Sequence, residues 1–440
     1  MTLPRLSPTP PEQLRERLRL HAHGRVTGVV GLVVEGSCRG ATVGELVEIR
    51  TSARVVAAEV VGLRDERALM IPLGDVRGIG IGDTLVPLRV PAQIECSDAL
   101  LGRVVDARGR PIDGEGAIAG ADDARPLYAD PPAPLRRTLI DAPCPVGIRA
   151  IDGALTLGRG QRVGIMAGAG VGKSRLLADL VTGTSCDVAV VALIGERGRE
   201  VGEFLERTLS KAARKRTVAV VATSDQSPLL RMRGAFVATA VAEHFCAAGA
   251  DVLLVMDSLT RFAMAQREIG LSTGEPPATR GYTPSVFAQL PRLLERAGRF
   301  AQGSITGIYT VLVEGDDLSD PVGDAARSIL DGHIVLSRAL ASRGHFPAID
   351  VLASVSRVLD AVVSPQRAAL ASALRRLLAD LAEADELSTL GAYVPGANAA
   401  LDRALQRKSD LMAFLRQGPG TTTAFAEVEK QLHKLVEGVS

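Results

Sequence analysis

Residues 161–175 read QRVGIMAGAGVGKSR, and the turn of small residues within them ends at Lys173 and Ser174. An apolar run leads into the turn and a helical stretch follows it, which is the pattern of a phosphate-binding loop. Glycines let successive backbone N–H groups surround an anion, and the positive end of the following helix favours phosphate. In such loops the lysine reaches the β- and γ-phosphates and the hydroxyl ligates Mg²⁺. The stretch therefore predicts a nucleotide-binding site, with ATP and Mg²⁺ as its cofactors.

One position departs from the usual G-x-x-x-x-G-K-[ST] pattern, because Ala167 stands where the first glycine is expected. That position mainly needs a small side chain, so we expect the loop to keep its function. The predicted nucleotide-binding residues are Gly168, Ala169, Gly170, Val171, Gly172, Lys173, Ser174 and Arg175.

Hydrolysis of ATP also needs an acid near the metal, a group that orients water and positive charge for the transition state. Asp257 closes the apolar run VLLVM and is predicted to hold Mg²⁺ through water. Glu196 follows DVAVVALIG, where a carboxylate can polarise the attacking water. Arg197 and Arg199 are close by in sequence for charge compensation. Of these residues, Glu196, Arg197 and Asp257 join Lys173 in the predicted catalytic set, which Arg357 completes.

Arg357 ends the apolar segment IDVLASVSRV, far along the chain from the phosphate loop. An arginine so placed can serve the phosphates of a neighbouring subunit as a finger, a contribution of roughly 10³ to 10⁵ in rate in other systems. In an open α/β sheet, ligands bind at the carboxyl ends of the strands. We therefore expect all the catalytic candidates at that edge.

The composition favours a large globular protein without a nucleic-acid partner. The 440 residues suffice for two or three domains. The 51 basic and 50 acidic residues nearly balance and aromatic residues make up only 3%, which argues against an RNA-binding surface. Five scattered cysteines without C-x-x-C spacing indicate a reducing compartment. Without a signal-peptide pattern or an apolar run of bilayer length, we expect a cytoplasmic protein.

Three regions flank or follow the α/β pattern. Residues 1–24 combine a Pro-rich tip with the basic segment EQLRERLRLHAH, which can dock on a partner, lie on a membrane surface or remain a solvated helix. Residues 25–92 show short β-type runs between glycines and predict a small oligomerisation barrel. Residues 364–440 show helical periodicity and predict a helical domain packed on the α/β core.

Residues 93–363 form the predicted ATPase domain. Its first part, up to about residue 150, is interpreted as a connecting region with a turn at 108–111. Five buried-strand candidates follow, at 187–195, 217–223, 251–258, 304–315 and 333–337. Such near-continuous apolar runs are typical of parallel strands covered on both faces. Helical segments alternate with them, so the predicted fold class is α/β with a doubly wound sheet.

Several long segments together carry a family resemblance. They are PVGIRAIDGALTLGRGQRVGIMAGAGVGKS, IGERGREV, SPLLRMRGAF, DSLTRFAMAQREI, GEPPATRGYTPSVFAQLPRLLERAG, YTVLVEGDDLSDPVGDAARSILDGHIVLSR and PAIDVLASVSRV. From about Gly24 onward the chain resembles the ATPases of type III protein export, which serve flagellar assembly and virulence injectisomes and are related to F- and V-type rotary ATPase subunits. The resemblance implies a RecA-like P-loop core between the barrel and the helical domain, in a homohexameric ring.

The resemblance also implies roles for single residues. Residues 168–174 would be the phosphate loop, and Glu196 the catalytic carboxylate. Asp257 would be the Walker B acid, and Arg357 the arginine finger that reaches the next subunit.

One position departs from the family pattern and leaves the adenine contact open. Many relatives carry Tyr or His about ten residues after the finger, whereas this chain has Arg367 there. Tyr393 and Phe414 are the possible substitutes.

The implied function is Mg²⁺-dependent ATP hydrolysis that energises export by chaperone release and substrate unfolding. The implied partners are chaperone–substrate complexes, a central stalk protein, an export gate at the membrane and a stator-type regulator at the N-terminal segment. The implied location is peripheral, at the inner-membrane base of the apparatus. The loop AGAGVGKS slightly favours the flagellar branch and leaves the injectisome open. The alternatives are an F/V-type subunit, catalytic or not, and a Rho-like RNA translocase. The export-type segment LGAYVPGANAALDRAL counts against an F-type subunit, and the presence of Glu196 counts against a non-catalytic one. The low aromatic content and the near-zero net charge count against a Rho-like translocase.

Overall fold

The computed structural model describes residues 23–120, 123–313 and 320–437, which divide into two compact units. The first unit contains the described residues up to Ala92 together with Ser272–Gly274. The second contains the other described residues. The N-terminal segment, for which the sequence predicts a stator-type regulator as partner, lies outside the described residues except for its last two positions.

The first unit is a closed barrel of six antiparallel strands, which confirms the predicted barrel. The strands are β1 Gly24–Val30, β2 Val33–Ser37, β3 Glu45–Arg50, β4 Val55–Arg64, β5 Arg67–Pro72 and β6 Thr84–Pro91. They pair in the order β1-β2-β5-β4-β3-β6. Alternate side chains point into the barrel, as a strand period of two requires, and Val34, Val47 and Met70 are fully buried there.

The second unit is built on a mixed sheet that carries the phosphate loop. The strands of this unit are β7 Gln93–Cys96, β8 Val104–Asp106, β9 Asp123–Pro126, β10 Arg162–Ala167, β11 Val188–Ile194, β12 Thr217–Ala222, β13 Asp251–Asp257, β14 Gly298–Arg299, β15 Ser304–Leu312, β16 Gly332–Leu336 and β17 Ile349–Ser356. The sheet order is β17-β16-β10-β15-β13-β11-β12-β8, with β14 beside β15 and with β7 and β9 as a separate pair. Every residue of β11 and β12 is buried, so both faces are covered, as predicted for parallel strands.

Two features of the sheet correct the sequence prediction. The region up to residue 150 is more than a connection, because it supplies β7, β9 and the edge strand β8. With only two valines, β8 is too short for its apolar run to stand out. Strand β17 runs antiparallel to β16, whereas β10, β15, β13 and β11 are parallel to one another. The turn predicted at 108–111 lies slightly earlier, over 106–109, where the Gly109 N–H donates to the Asp106 carbonyl at 3.0 Å.

The helices connect the strands and then form the C-terminal region. They are α1 Arg149–Ala154, α2 Lys173–Gly183, α3 Gly198–Glu203, α4 Lys211–Lys215, α5 Pro228–Ala247, α6 Leu259–Ser272, α7 Pro284–Leu294, α8 Pro321–Ile329, α9 Arg338–Ser342, α10 Leu359–Val362, α11 Pro365–Thr389, α12 Ala399–Gln406, α13 Lys408–Leu415 and α14 Phe425–Val436. The segment predicted as helical after Glu196 is broken, because a π-turn at Phe204–Thr208 separates α3 from α4. Within the described ranges, no helix combines the length and the apolar character needed to cross a bilayer.

The C-terminal helices share one hydrophobic core with the sheet, in agreement with the prediction. Leu374 of α11 and Leu411 of α13 are fully buried in that core. Arg367, at the position where many relatives carry Tyr or His, also holds these helices together. Its guanidinium lies 2.7 Å from the Glu429 carboxylate and 3.6 Å from the ring centre of Phe425. Arg367 therefore links α11 to α14.

Candidate active site

Strand β10 and helix α2 position the phosphate loop between them. β10 is buried along almost its whole length, and α2 begins at Lys173 and buries Leu177 and Leu180. Gly170 and Gly172 have φ angles of 79° and 88°, in the left-handed region that favours glycine. The loop therefore has the local conformation that its small residues predict.

Lys173 stands between two carboxylates at the carboxyl edge of the sheet. Its Nζ lies 3.4 Å from Glu196 Oε1 and forms a close ion pair with Asp257 Oδ1. Asp257 ends β13, and Glu196 follows the neighbouring strand β11. The Thr310 hydroxyl donates a 2.6 Å hydrogen bond to Asp257. The structure thus brings together three residues that the sequence predicts to act together.

The electrostatics of this cluster suit proton transfer. Burial raises the pKa of Glu196 above its usual range, the Asp257 carboxylate raises it further and Lys173 lowers it. Two carboxylates so close repel each other, and a cation between them favours the ionised forms. Lys173 supplies that cation, while the raised pKa makes Glu196 a better proton acceptor than an ordinary carboxylate.

The same edge offers the ligands that a Mg²⁺–nucleotide complex needs. Ser174 is exposed in the first turn of α2, next to Lys173, and the Asp257 carboxylate lies beside the same lysine. Mg²⁺ prefers oxygen ligands and usually takes some of them from phosphates and water. The described parts of the chain contain no group of three His, Cys, Asp or Glu that could hold a metal alone. The residues present therefore fit a magnesium ion that arrives with a nucleotide.

The arginines after Glu196 point to solvent. The Arg197 side chain is 77% exposed and pairs with Glu200 at 3.3 Å, and Arg199 is exposed as well. Arg199 lies in the first turn of α3, and Arg197 directly precedes this helix. Their exposure does not support the predicted charge compensation at Glu196.

Arg357 lies at the opposite edge of the sheet from the phosphate loop. It follows β17, whose last residue, Ser356, pairs with Gly332 at the start of β16. Because β16 is parallel to β10, Arg357 is at the amino edge, while the phosphate loop follows the carboxyl end of β10. The expectation that all catalytic candidates share one edge is therefore wrong for Arg357, and the cause is the antiparallel direction of β17. The exposed side chain donates one 3.3 Å hydrogen bond to the Arg327 carbonyl.

The two candidates for the adenine contact are engaged elsewhere. The Tyr393 hydroxyl donates a hydrogen bond to Asp402. Phe414 is buried against Gly153 of α1, where an added Cβ would lie 2.9 Å from the phenyl ring. The Phe414 ring is therefore not free to stack on a base in this conformation, and the Tyr393 hydroxyl is held by Asp402 of α12.

A cavity of about 270 Å³ beside the phosphate loop offers another aromatic ring. Gly172, Arg175, Phe346 and Gln417 contribute to its lining. Phe346 is 42% exposed, and its carbonyl accepts a 2.9 Å hydrogen bond from the Gln417 N–H. Sequence reasoning missed this ring because it lies in a segment without a motif. In a chain with only nine Phe, four Tyr and no Trp, each aromatic residue was a signal worth following.

Comparisons with known proteins show the family of this chain. Residues 147–356 match the nucleotide-binding domain of the ATP synthase alpha/beta family, and residues 363–434 match the T3SS EscN ATPase C-terminal domain. The chain is 48% identical to a flagellum-specific ATP synthase of Treponema pallidum (strain Nichols), over 96% of this chain and 95% of that one. It is 49% identical to a type 3 secretion system ATPase of Pseudomonas savastanoi pv. phaseolicola, over 92% of each chain.

Solved structures give the same result. The assembled ATPase EscN of the type III secretion system of enteropathogenic E. coli superposes with a TM-score of 0.90, at 43% identity over 94% of this chain and 100% of that one. EscN in complex with its central stalk EscO superposes with a TM-score of 0.87, at 42% identity and the same coverage.

The fold and the site define a P-loop ATPase with an N-terminal barrel, and the chain belongs to the ATP synthase alpha/beta family. Within that family it is one of the type III secretion and flagellar export ATPases, enzymes that hydrolyse ATP. These relatives are export enzymes rather than Rho-like translocases, and the two export systems are represented at nearly equal identity.

Proposed function

We propose that this chain hydrolyses Mg²⁺-ATP at sites completed by a neighbouring copy, in a homohexameric ring that energises type III protein export. The cluster of Lys173, Glu196 and Asp257 beside the phosphate loop carries this proposal. It contains a phosphate-binding cation, a water-activating carboxylate and an acid for the metal. Of the groups that ATP hydrolysis needs, only a second positive charge for the transition state must come from elsewhere.

Each residue has a role that follows from its place. The loop N–H groups and Lys173 bind the phosphates, and Lys173 turns from the carboxylates to do so. Ser174 and Asp257 would hold Mg²⁺, which neutralises phosphate charge when bound. Glu196 orients the attacking water and accepts its proton, for which its raised pKa is suited. Phe346 lies where it can stack on adenine in the cavity beside the loop.

The position of Arg357 supports a composite site. A six-residue strand such as β10 is about 20 Å long, so Arg357 is too far from the phosphate loop of its own chain. In a ring with cyclic symmetry, the amino edge of one copy can face the carboxyl edge of the next. A guanidinium at that interface would stabilise the charge of the transition state.

The proposed assembly rests on the relatives. EscN is known as an assembled ATPase and in complex with its central stalk EscO. We extend to this chain the ring and a central stalk protein. Chaperone–substrate complexes, an export gate and a stator-type regulator complete the proposed partners, at a peripheral position on the inner-membrane base of a secretion apparatus.

Substitution of Glu196 tests the enzymatic part of the proposal. Glu196→Gln keeps the side-chain shape but cannot accept the proton of water, so turnover should fall by roughly 10² to 10⁴. Nucleotide binding should persist, because Lys173 and the loop are unchanged. Glu203→Gln, at an exposed position at the end of α3, is the matched control and should retain full activity. Steady-state ATPase rates and the Kd of a fluorescent ATP analogue give both readouts. Unchanged turnover in Glu196→Gln would remove Glu196 from the mechanism.

A further inference from the structure

Gln161 is a fully buried polar side chain with no part in the chemistry proposed above. It lies at the amino edge of the sheet, directly before β10. Its Oε1 accepts a 2.8 Å hydrogen bond from the Gly158 N–H. Its Nε2 donates to the Asp331 carbonyl at 3.1 Å and to the Ser356 hydroxyl at 3.2 Å. One amide thus joins three segments that are distant in sequence.

The partners of Gln161 are also the groups that hold the backbone of Arg357. The Arg357 N–H donates to the same Asp331 carbonyl at 3.0 Å. Ser356 directly precedes Arg357, and its hydroxyl donates to the Thr156 carbonyl at 3.1 Å. The arginine side chain is exposed, but the start of that side chain is fixed by this set of bonds.

The surrounding backbone leaves little room for another arrangement. A Cβ at Gly332 would lie 2.4 Å from the Val355 carbonyl oxygen and 3.3 Å from Gln161 Nε2. Arg162, the next residue, donates from Nε and Nη2 to the Asp331 carboxylate at 3.0 Å each. If the amide of Gln161 is lost, the Asp331 carbonyl and the Ser356 hydroxyl must find new partners in a closely packed turn.

We infer that Gln161 is a positioning residue for Arg357. The inference rests on the proposed function, because it requires that Arg357 acts on a neighbouring copy. Misplacement of a catalytic group by about 1 Å can cost 10²-fold in rate, so Gln161→Met should lower kcat by roughly 10- to 100-fold. KM for ATP should change little, because the phosphate loop lies at the other end of β10.

Mixed rings separate a positioning role from general damage. A Gln161→Met copy keeps its own phosphate loop and gives a misplaced finger, whereas a Lys173→Ala copy has a defective loop and gives an intact finger. Mixing the two should therefore restore part of the activity, at sites that combine the good loop of one with the good finger of the other. If Gln161→Met damages β10 and its own loop, verified mixed hexamers will show no recovery, and the inference is wrong.

Three further variants complete the experiment. Thr306→Val removes the hydroxyl that accepts a 2.9 Å hydrogen bond from the Gly160 N–H at the same turn, on the side away from the finger, and it should leave kcat near wild type. Ser356→Ala removes the hydrogen bond from Gln161 and the hydrogen bond to the Thr156 carbonyl, but it leaves the bond from Gln161 to Asp331. This variant takes the place of Gln161→Met if that variant does not fold, and it should cause a smaller loss of kcat. Adding Gln161→Met to Arg357→Ala should lower kcat no further, since both substitutions act through the Arg357 side chain.

A further loss of kcat in that double variant, or a loss in Thr306→Val equal to that in Gln161→Met, would overturn the inference. If Arg357→Ala alone keeps full turnover, the proposed finger itself fails, which is a separate result.

Discussion

At the carboxyl edge of the central sheet one lysine faces two carboxylates, whereas at the amino edge two arginines face two carboxylates. At the first edge Lys173 is paired with both Glu196 and Asp257. Burial and the Asp257 carboxylate raise the pKa of Glu196. At the second edge Glu295 lies 2.5 Å from Arg162 and 3.2 Å from Arg137. The charges of Arg137, Arg162, Glu295 and Asp331 balance one another, whereas Lys173 is a single cation beside the two carboxylates Glu196 and Asp257.

At the amino edge, paired carboxylates compensate for the burial of the Arg162 guanidinium. Burial alone would lower the pKa of Arg162, but its bonds to Asp331 and Glu295 outweigh that effect and raise the pKa. The Arg162 side chain is held in one position because it is paired with both Asp331 and Glu295. The amino edge is thus suited to hold a neighbouring residue in place, as it holds the backbone of Arg357.

The carboxyl edge shows the opposite arrangement. A lysine shared by two carboxylates can exchange them for phosphate oxygens, and the carboxylates can then attract a metal ion. The imbalance of charge indicates where ligands complete the site. The carboxyl edge is therefore suited to exchange its ion pairs for contacts with a ligand, and the amino edge is suited to keep its ion pairs.

The largest expected effect is that of removing the group that the amino edge presents. Arg357→Ala should lower turnover by roughly 10³- to 10⁵-fold, the value of an arginine finger elsewhere. Nucleotide affinity should stay near wild type, because the loop of each copy is intact. Arg376→Ala, at an exposed position of α11, is the matched control.

Mixing Arg357→Ala with Lys173→Ala tests whether the finger acts between copies. Intact composite sites can form where one variant supplies the loop and the other the finger, so some activity should return. Absence of recovery in verified mixed hexamers would contradict a finger that acts on a neighbour and would place the role of Arg357 within its own chain.

A charge removed from the balanced edge should lower stability. In Asp331→Asn the partly buried Arg162 loses its bidentate carboxylate, and we expect the free energy of unfolding to fall by about 2–3 kcal/mol, below the range for fully buried pairs. Urea unfolding at one low protein concentration, without nucleotide, measures this. Asp360→Asn, at an exposed position, is the control. Equal midpoints for the two variants would show that the amino edge does not depend on this ion pair.

The sequence predicts the carboxyl edge well because the rule behind it is local. Parallel strands end at one edge, so Glu196 and Asp257, each just at or after an apolar run, had to lie near Lys173. The candidate 187–195 contains Val188–Ile194, and 251–258 contains Asp251–Asp257. Motif, strand and edge are here encoded in continuous stretches of chain.

The amino edge and the adenine cavity depend instead on contacts between distant segments. An apolar run does not encode the direction of its strand, so the reversal at β17 moved Arg357 to the far edge. Phe346 reaches the phosphate loop only because its segment packs beside Gly172, where an added Cβ would lie 3.3 Å from the ring. No sequence pattern indicates the role of Gln161, because two of its three hydrogen bonds join it to the distant residues 331 and 356 and the third joins it to residue 158.

The smallest expected effect is the most direct test of the contrast between the edges. The pKa of Glu196 is raised in the folded chain, so ionised Glu196 destabilises the fold relative to the unfolded chain at pH values above that pKa. This cost disappears as the pH falls through the raised pKa, where the folded chain takes up the proton first. Glu196→Gln is neutral at every pH and should unfold at a midpoint equal to or slightly above that of wild type near neutral pH.

Thermal unfolding without nucleotide or Mg²⁺ tests whether ionised Glu196 destabilises the fold. The proteins compared are Glu196→Gln, Glu203→Gln and wild type. The advantage of Glu196→Gln should shrink on acidification, because wild-type Glu196 is then protonated too. Lys173 keeps its close partner Asp257 in this variant, so no buried cation is stranded. A midpoint clearly below that of Glu203→Gln at neutral pH would mean that Glu196 stabilises the fold. The carboxyl edge would then be balanced like the amino edge, and the contrast in charge would not explain why only one edge exchanges partners.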